Sequence, residues 1–222
     1  MKAASIPKAL IGLALLSGGL ATATAGALLT NGDFQTGDLT GWTTFTTSNG
    51  TNGSGLPDVV SFDITGSGAS LAAHFDVGEV TFDGTPQGGG LYQDVNIATA
   101  GTYLFSLNIA SQDGASGAIN SDAGTFSILI DGNTVSSDSL GGFTSSLQIL
   151  RGTLSGSVNL GAGSHQFEIL LTRNFTSASG GQTPDEYVDN AILGTAAPEP
   201  ATFGLCGAAL AGLTLFRRLR RA

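Results

Sequence analysis

Four stretches of this chain place apolar side chains at every second position. Tyr103, Phe105, Leu107 and Ile109 do so, as do Leu71, Ala73, Phe75 and Val77, then Phe126, Ile128 and Ile130, and finally Phe167, Ile169 and Leu171. A period of two turns alternate side chains to opposite faces, so each stretch reads as a strand with one face in a core. No segment between residues 26 and 194 shows a convincing 3.6-residue repeat. Glycine supplies 34 of the 222 residues, and runs such as 48–55 and 115–124 punctuate the alternating segments. Further strands are expected at 42–47, 58–64, 91–97, 147–154 and 187–193, and Asp131-Gly132-Asn133 reads as a hairpin turn. Many short strands with glycine-rich turns predict an all-β sandwich or barrel.

Both ends depart from this pattern. Lys2 and Lys8 precede an apolar stretch at 9–16, and Ala23-Thr24-Ala25 supplies small residues. That is the order of a secretory signal peptide, with cleavage expected after Ala25, or else after Ala23. At the other end Pro198-Glu199-Pro200 is followed by an apolar run over 201–216 and then by Arg217, Arg218, Leu219, Arg220 and Arg221. As a helix the run spans roughly 24 Å, a little short of a typical hydrocarbon core of about 30 Å. Arginines beside such a run stay on the cytoplasmic side. Cys206, the only cysteine, lies inside it and reads as a small apolar filler.

In order, length and position this tail resembles the PEP-CTERM sorting signal of Gram-negative bacteria. The resemblance implies recognition by an exosortase in the inner membrane and cleavage near the signal. It also implies transient anchoring in that membrane and delivery to the cell surface or extracellular matrix. Signal peptidase and exosortase are then partners during export, and a plain C-terminal anchor is the simpler alternative. The expected division is a signal peptide at 1–25, a β-domain at 26–194, a linker at 195–200 and a hydrophobic helix with its basic stop at 201–222.

Between the two end segments only Arg151 and Arg173 oppose sixteen acidic residues, a net charge of about −14. Such a surface repels nucleic acid and anionic lipid and favours divalent cations and neutral partners. With no cysteine before position 206, the domain's stability rests on its core rather than on disulfides.

The run Asn31-Gly32-Asp33-Phe34-Gln35, with Gly41-Trp42 shortly after, resembles the opening of galactose-binding-like jelly rolls, including many carbohydrate-binding modules. Gln93 to Leu107, with Ala100-Gly101-Thr102-Tyr103, resembles their "Gln-x-Val … Ala-Gly-x-Tyr" strand pair, and Tyr187 to Leu193 their closing strand. The resemblance narrows the expectation to a jelly-roll β-sandwich. It also implies a structural Ca²⁺ where the first strand meets the last, with Gln35 and Asp189 as ligands and Asp33 or Asn31 beside them. Gln35 stands where a Glu is usual, which lowers the charge offered to a hard cation.

Sugar recognition needs aromatic faces for the apolar side of a pyranose and a few convergent polar groups. Tyr92, Tyr187 and Trp42 are the candidates for such contacts, though Trp42, just after a turn at the start of its strand, reads better as core, and polysaccharide is the expected partner. Catalysis finds little support. There is no Gly-x-Ser-x-Gly elbow and no His-Glu-x-x-His motif. His74 alternates onto the polar face of its strand beside Asp76, His165 falls on the Phe167/Ile169 face as a core-edge residue, and Asp185, Glu186 and Asp189 are neighbouring acids in one segment. The sequence therefore predicts an exported, non-catalytic surface or matrix protein that contacts polysaccharide. The alternatives are a structural or adhesive protein with protein partners and, behind it, a glycan-cleaving enzyme.

Overall fold

The computed structural model describes residues 27–114, 119–177 and 183–195. The predicted cleavage residues Ala23 and Ala25, the Pro198-Glu199-Pro200 signal, Cys206 and the arginines at 217, 218, 220 and 221 lie outside them. Among the described residues no helix is long and apolar enough to cross a membrane.

Twelve strands follow one another: β1 Thr43–Thr46, β2 Gly50–Thr51, β3 Asp58–Phe62, β4 Ser70–Phe75, β5 Gly78–Glu79, β6 Gln87–Ile97, β7 Gly101–Gln112, β8 Thr125–Ile130, β9 Asn133–Ser139, β10 Ile149–Leu160, β11 Gly163–Arg173 and β12 Asp185–Thr195. They form a first sheet in the order β1-β6-β11-β8-β9, a second in the order β10-β7-β12-β4-β3, and a small β2-β5 pair. All strand pairs are antiparallel. Within the two large sheets only the β3–β4 and β8–β9 hairpins stay in one sheet; the other connections carry the chain across. The result is a jelly-roll β-sandwich.

The alternating stripes become the core. Phe75 and the Phe105-Leu107-Ile109 row come from the second sheet, Phe126-Ile128 and Phe167-Ile169-Leu171 from the first, and all are 3% exposed or less. Opposite Phe105 on β10 stands Gly156, where a Cβ would come within 2.6 Å of the ring. The hairpin between β8 and β9 turns on Asp131 and Gly132, both at positive φ (52° and 73°), as the sequence predicts.

The short β2 and β5 were not expected, β10 runs on to Leu160 instead of ending at 154, and two strands of the first sheet differ for clear reasons. β6 begins at Gln87 and runs through Gly88-Gly89-Gly90, residues without side chains to alternate. These glycines lie tight on β11: a Cβ at Gly90 would stand 1.8 Å from the Ile169 carbonyl oxygen. β9 was not expected at all, because Asn-Thr-Val-Ser-Ser-Asp-Ser carries no apolar stripe. It is a mostly exposed edge strand held by β8.

The strand registers also sort the connections. The tight turns at 98–100, 131–132 and 161–162 lie at one end of the sandwich. The segments that follow β4, β7, β9 and β11 all leave from the other end.

Candidate functional site

The opening segment is an interior feature. Ala191 N donates to Gly32 O at 2.8 Å and Leu28 N to Leu193 O at 2.9 Å, so the chain's first described residues lie against β12. Trp42 is 8% exposed, sits between Phe34 and Phe167 with ring centroids at 5.8 and 6.3 Å, and donates Nε1–H to Asn31 O at 3.0 Å. Of the two readings open to Trp42, core packing and glycan contact, the structure places it in the core. The reason is local: Gly41, at a φ of 89°, reverses the chain so that the indole closes the core. Gln93 entered the sequence argument only as part of a strand motif, with no role of its own. Its buried amide accepts from Thr30 N at 2.7 Å and donates to the carbonyls of Thr30 and Gly41 at 3.0 and 2.8 Å, fastening the opening segment to β6.

The four residues proposed for calcium meet near this junction but are otherwise engaged. Asp189, 1% exposed, accepts from Ser70 Oγ at 2.7 Å and from the Asn190 backbone and side-chain nitrogens at 2.6 and 3.1 Å. Burial raises its carboxyl above the usual range, and the nearby charge of Asp33 adds to the rise. Gln35 is exposed and folds its amide nitrogen back onto Asp33 O at 3.0 Å. Asn31 accepts from Thr36 N and donates to the carbonyls of Asp38 and Thr40. A cation here would compete with the Ser70 and Asn190 donors for Asp189 and would need Gln35 turned away from Asp33 O. Among the described residues there is no cluster of three or more His, Cys, Asp or Glu able to hold a metal.

The outer face of the second sheet carries the next candidate. Tyr187 and His74 are direct neighbours across β12 and β4. Tyr187 is 6% exposed: Phe62 lies flat on it at 3.7 Å, and His74 packs nearby at 5.0 Å. The β3–β4 connection folds over the same face. Its Ile64, 2% exposed, packs with Ala72, Ala110 and Tyr187, and Arg151 reaches from β10 to donate Nε–H and Nη2–H to Asp63 O at 3.2 and 2.9 Å. Tyr187, a predicted glycan contact, is thus closed off by a strap of its own chain.

Tyr92 is placed differently. It lies on the outer face of the first sheet, half-buried, opposite Thr43 on β1 and Glu168 on β11. Phe45, two residues along β1 and on the same face, sits 6.3 Å away by centroid, its plane tilted 54°. The Phe45 ring rests over Gly90, where a Cβ would stand 3.2 Å from Cε1. Glu168 is the carboxylate beside this pair, and partial burial raises it above the ordinary range. Gln166 and Asp94 continue the face, bonded to each other at 3.5 Å. Two partly exposed rings over bare glycine backbone, flanked by a carboxylate and an amide, form the described site best suited to stacking. Phe45 was missed because the sequence argument considered only Trp and Tyr.

Among the described residues the acids and histidines do not assemble into a catalytic pair. Asp185 and Glu186 face opposite sides of β12. Asp185 meets His74 Nε2 on the outer face at 3.1 Å, while Glu186, fully buried, accepts from Val77 N at 3.0 Å and lies 3.7 Å from Arg173 Nε. Burial pushes Glu186 well above the usual carboxylate range, against the pull of Arg173. His74 holds Asp58 through its other nitrogen at 2.9 Å. Burial lowers its pKa, but the hydrogen bonds and charges of Asp185 and Asp58 outweigh that and raise it. His165 engages Asp131 at 2.7 Å and the Gly161 carbonyl at 3.1 Å. Each imidazole has both ring nitrogens occupied, so neither is placed to take a proton from a nucleophile.

No family model matches this sequence, and no curated protein does. Solved structures are similar to it at low identity. The carbohydrate-binding module TmCBM61, in complex with β-1,4-galactotriose, is 15% identical with a TM-score of 0.47, covering 78% of this chain and all of its own. The C-terminal family 22 carbohydrate-binding module of Clostridium thermocellum Xyn10B is 18% identical at 0.42, covering 74% and 92%. The Stig cyclase Fisc from Fischerella sp. TAU is 15% identical at 0.48, covering 79% and 100%. Binding modules and a cyclase stand side by side. Likeness of this degree assigns neither ligand nor reaction.

Proposed function

We propose that this protein is an exported, non-catalytic component of a bacterial cell surface or extracellular matrix that binds neutral polysaccharide on the outer face of its first sheet. The observation that carries the reading is the Phe45–Tyr92 pair, partly exposed and tilted over Gly90 with Glu168 beside it. Tilted rings on a flat strand face offer apolar surface to the C–H side of a pyranose. Glu168 and Gln166 supply acceptors and donors for its hydroxyls. The acidic balance of the domain favours a neutral over an anionic polymer. With one such pair, affinity per site is weak and the polymer is held by repeated contacts.

Export rests on the sequence alone. The charged, apolar and small-residue order at 1–25 supports a signal peptide, and Pro198-Glu199-Pro200 with its apolar run and arginines supports exosortase sorting. Affinity electrophoresis tests the binding. The full chain is expected to be retarded in gels containing neutral polysaccharide, and the Tyr92→Ala variant to run freely. Equal mobility of the two in every gel would remove the site from this face.

A further inference from the structure

Among the described residues seven large apolar side chains are strongly exposed, and five of them, Val80, Phe82, Ile119, Leu147 and Phe175, belong to the segments leaving the same end of the sandwich. Val80 and Phe82 are each 65% exposed and Phe175 is 42% exposed. The two segments that carry them are joined through Glu79. Glu79 N donates to Phe175 O at 2.8 Å and Ser177 N to Glu79 O at 3.2 Å, tying the two segments together.

The segment bearing Val80 and Phe82 is braced. Val80 N donates to Asn49 O at 2.8 Å, Thr81 N to Asn49 Oδ1 at 3.0 Å, and Asn49 Nδ2 reaches Thr81 O and Asp83 Oδ2 at 2.7 and 3.1 Å. From beneath, the buried Glu79 carboxylate accepts from the backbone N–H groups of Asp83 and Gly84. Apolar side chains held outward on an ordered loop have already met the entropic cost of docking. Exposed aromatic anchors of this kind are what protein interfaces close upon.

Charge narrows the partner. Asp58, Asp76, Asp83, Asp122 and Asp185 lie at this end of the sandwich. Of the domain's two arginines, Arg151 is held on the Asp63 carbonyl, and Arg173, at this end with its guanidinium 6.0 Å from the Phe175 ring centroid, is buried and faces Glu186. A second copy of the chain would bring the same acids against each other, and an anionic membrane would be repelled. We infer that Val80, Phe82 and Phe175 form a docking surface for a basic protein segment that alternates aliphatic side chains with Lys or Arg. This surface is separate from the glycan face and rests on different residues.

The test uses the full chain and a synthetic 18-residue peptide of Leu and Lys, with its Leu and Glu counterpart as control, followed by peptide fluorescence anisotropy. Saturable binding of the Lys peptide is expected, weakened at least tenfold by the Val80→Ser/Phe82→Ser double variant, which keeps the protein's charge. Binding is expected to weaken as salt rises, and Tyr92→Ala is expected to leave it unchanged. Equal binding by the double variant, with an unchanged melting temperature, would mean attraction by overall charge alone and would overturn the inference. So would absence of binding to the wild type, tighter binding of the Glu peptide, or competition by neutral polysaccharide. Circular dichroism of a Phe175→Ser variant, on the second segment, guards against misreading a folding defect. If it is folded, it should lose binding as the double variant does.

Discussion

Phe62 lies flat on Tyr187, ring centroids 3.7 Å apart and planes 4° from parallel. One comes from an edge strand and the other from the middle of the second sheet. The stack, with Ile64 and the Arg151 clamp, converts an outer sheet face into a minor core. The aromatic platform open to solvent therefore lies on the opposite sheet, around Tyr92.

Cutting the stack should cost stability and leave binding alone. Phe62→Ala removes a partly exposed ring and one aromatic contact, for an expected loss of about 1–3 kcal/mol. Urea denaturation reads the loss. Glycan affinity should not change, because the Tyr92 face does not include this stack.

The buried Arg173–Glu186 pair gives a second outcome. Arg173→Met alone leaves a fully buried carboxyl without its cation and is expected to cost about 3–5 kcal/mol. Adding Glu186→Gln should restore much of that, since the neutral amide still accepts from Val77 N. Chemical denaturation of the single and double variants checks the order.

Stability should be greatest in mildly acidic solution. Asp76, Asp189 and Glu186 are raised chiefly by burial, and His74 is raised by Asp185 and Asp58 in spite of its burial. Each binds its proton more tightly folded than unfolded. Their contribution is therefore complete below the unfolded values, near 4 for the carboxyls and 6.5 for His74, and is lost as pH rises through the folded ones. Asp38, Asp83 and Asp131 are lowered, Asp38 and Asp131 first by backbone hydrogen bonds from Thr40 and Gln166, and Asp83 first by the Thr85 hydroxyl. Their contribution is present above about 4 and is lost as pH falls. The melting temperature should peak between about pH 4 and 6 and fall toward pH 8; a flat or rising profile over that range would contradict the assignment.

Calcium should make little difference. Asp189 already takes donors from Ser70 and Asn190, so melting in millimolar calcium and in EDTA should coincide. A calcium-dependent rise would mean that those donors yield to the ion.

Much of the fold was legible because a half-buried strand writes its burial in every second residue, as the Tyr103–Ile109 row does. β9 escaped because an edge strand needs a neighbour's backbone rather than a stripe of its own. The glycine start of β6 escaped because its packing is backbone on backbone. Within the site, Tyr92 was legible as an aromatic among polar residues. Trp42 and Tyr187, each readable as core or as surface, were decided by what folds over them: a reversal at Gly41 for one, Ile64 and Phe62 for the other. Phe45 and Phe82 were passed over because a phenylalanine in sequence looks like core until its neighbours are placed.

The central claim is that a glycan stacks on the Phe45–Tyr92 face. Isothermal titration of the full chain, as wild type, Tyr92→Ala and Phe45→Ala, with the producing organism's neutral extracellular polysaccharide tests it most directly. Saturable heat in the wild type is expected, with affinity reduced at least about tenfold in each variant, equivalent to ~1.4 kcal/mol, in proteins that circular dichroism shows to be folded. Equal heats from all three proteins, or none from a folded wild type, would contradict it.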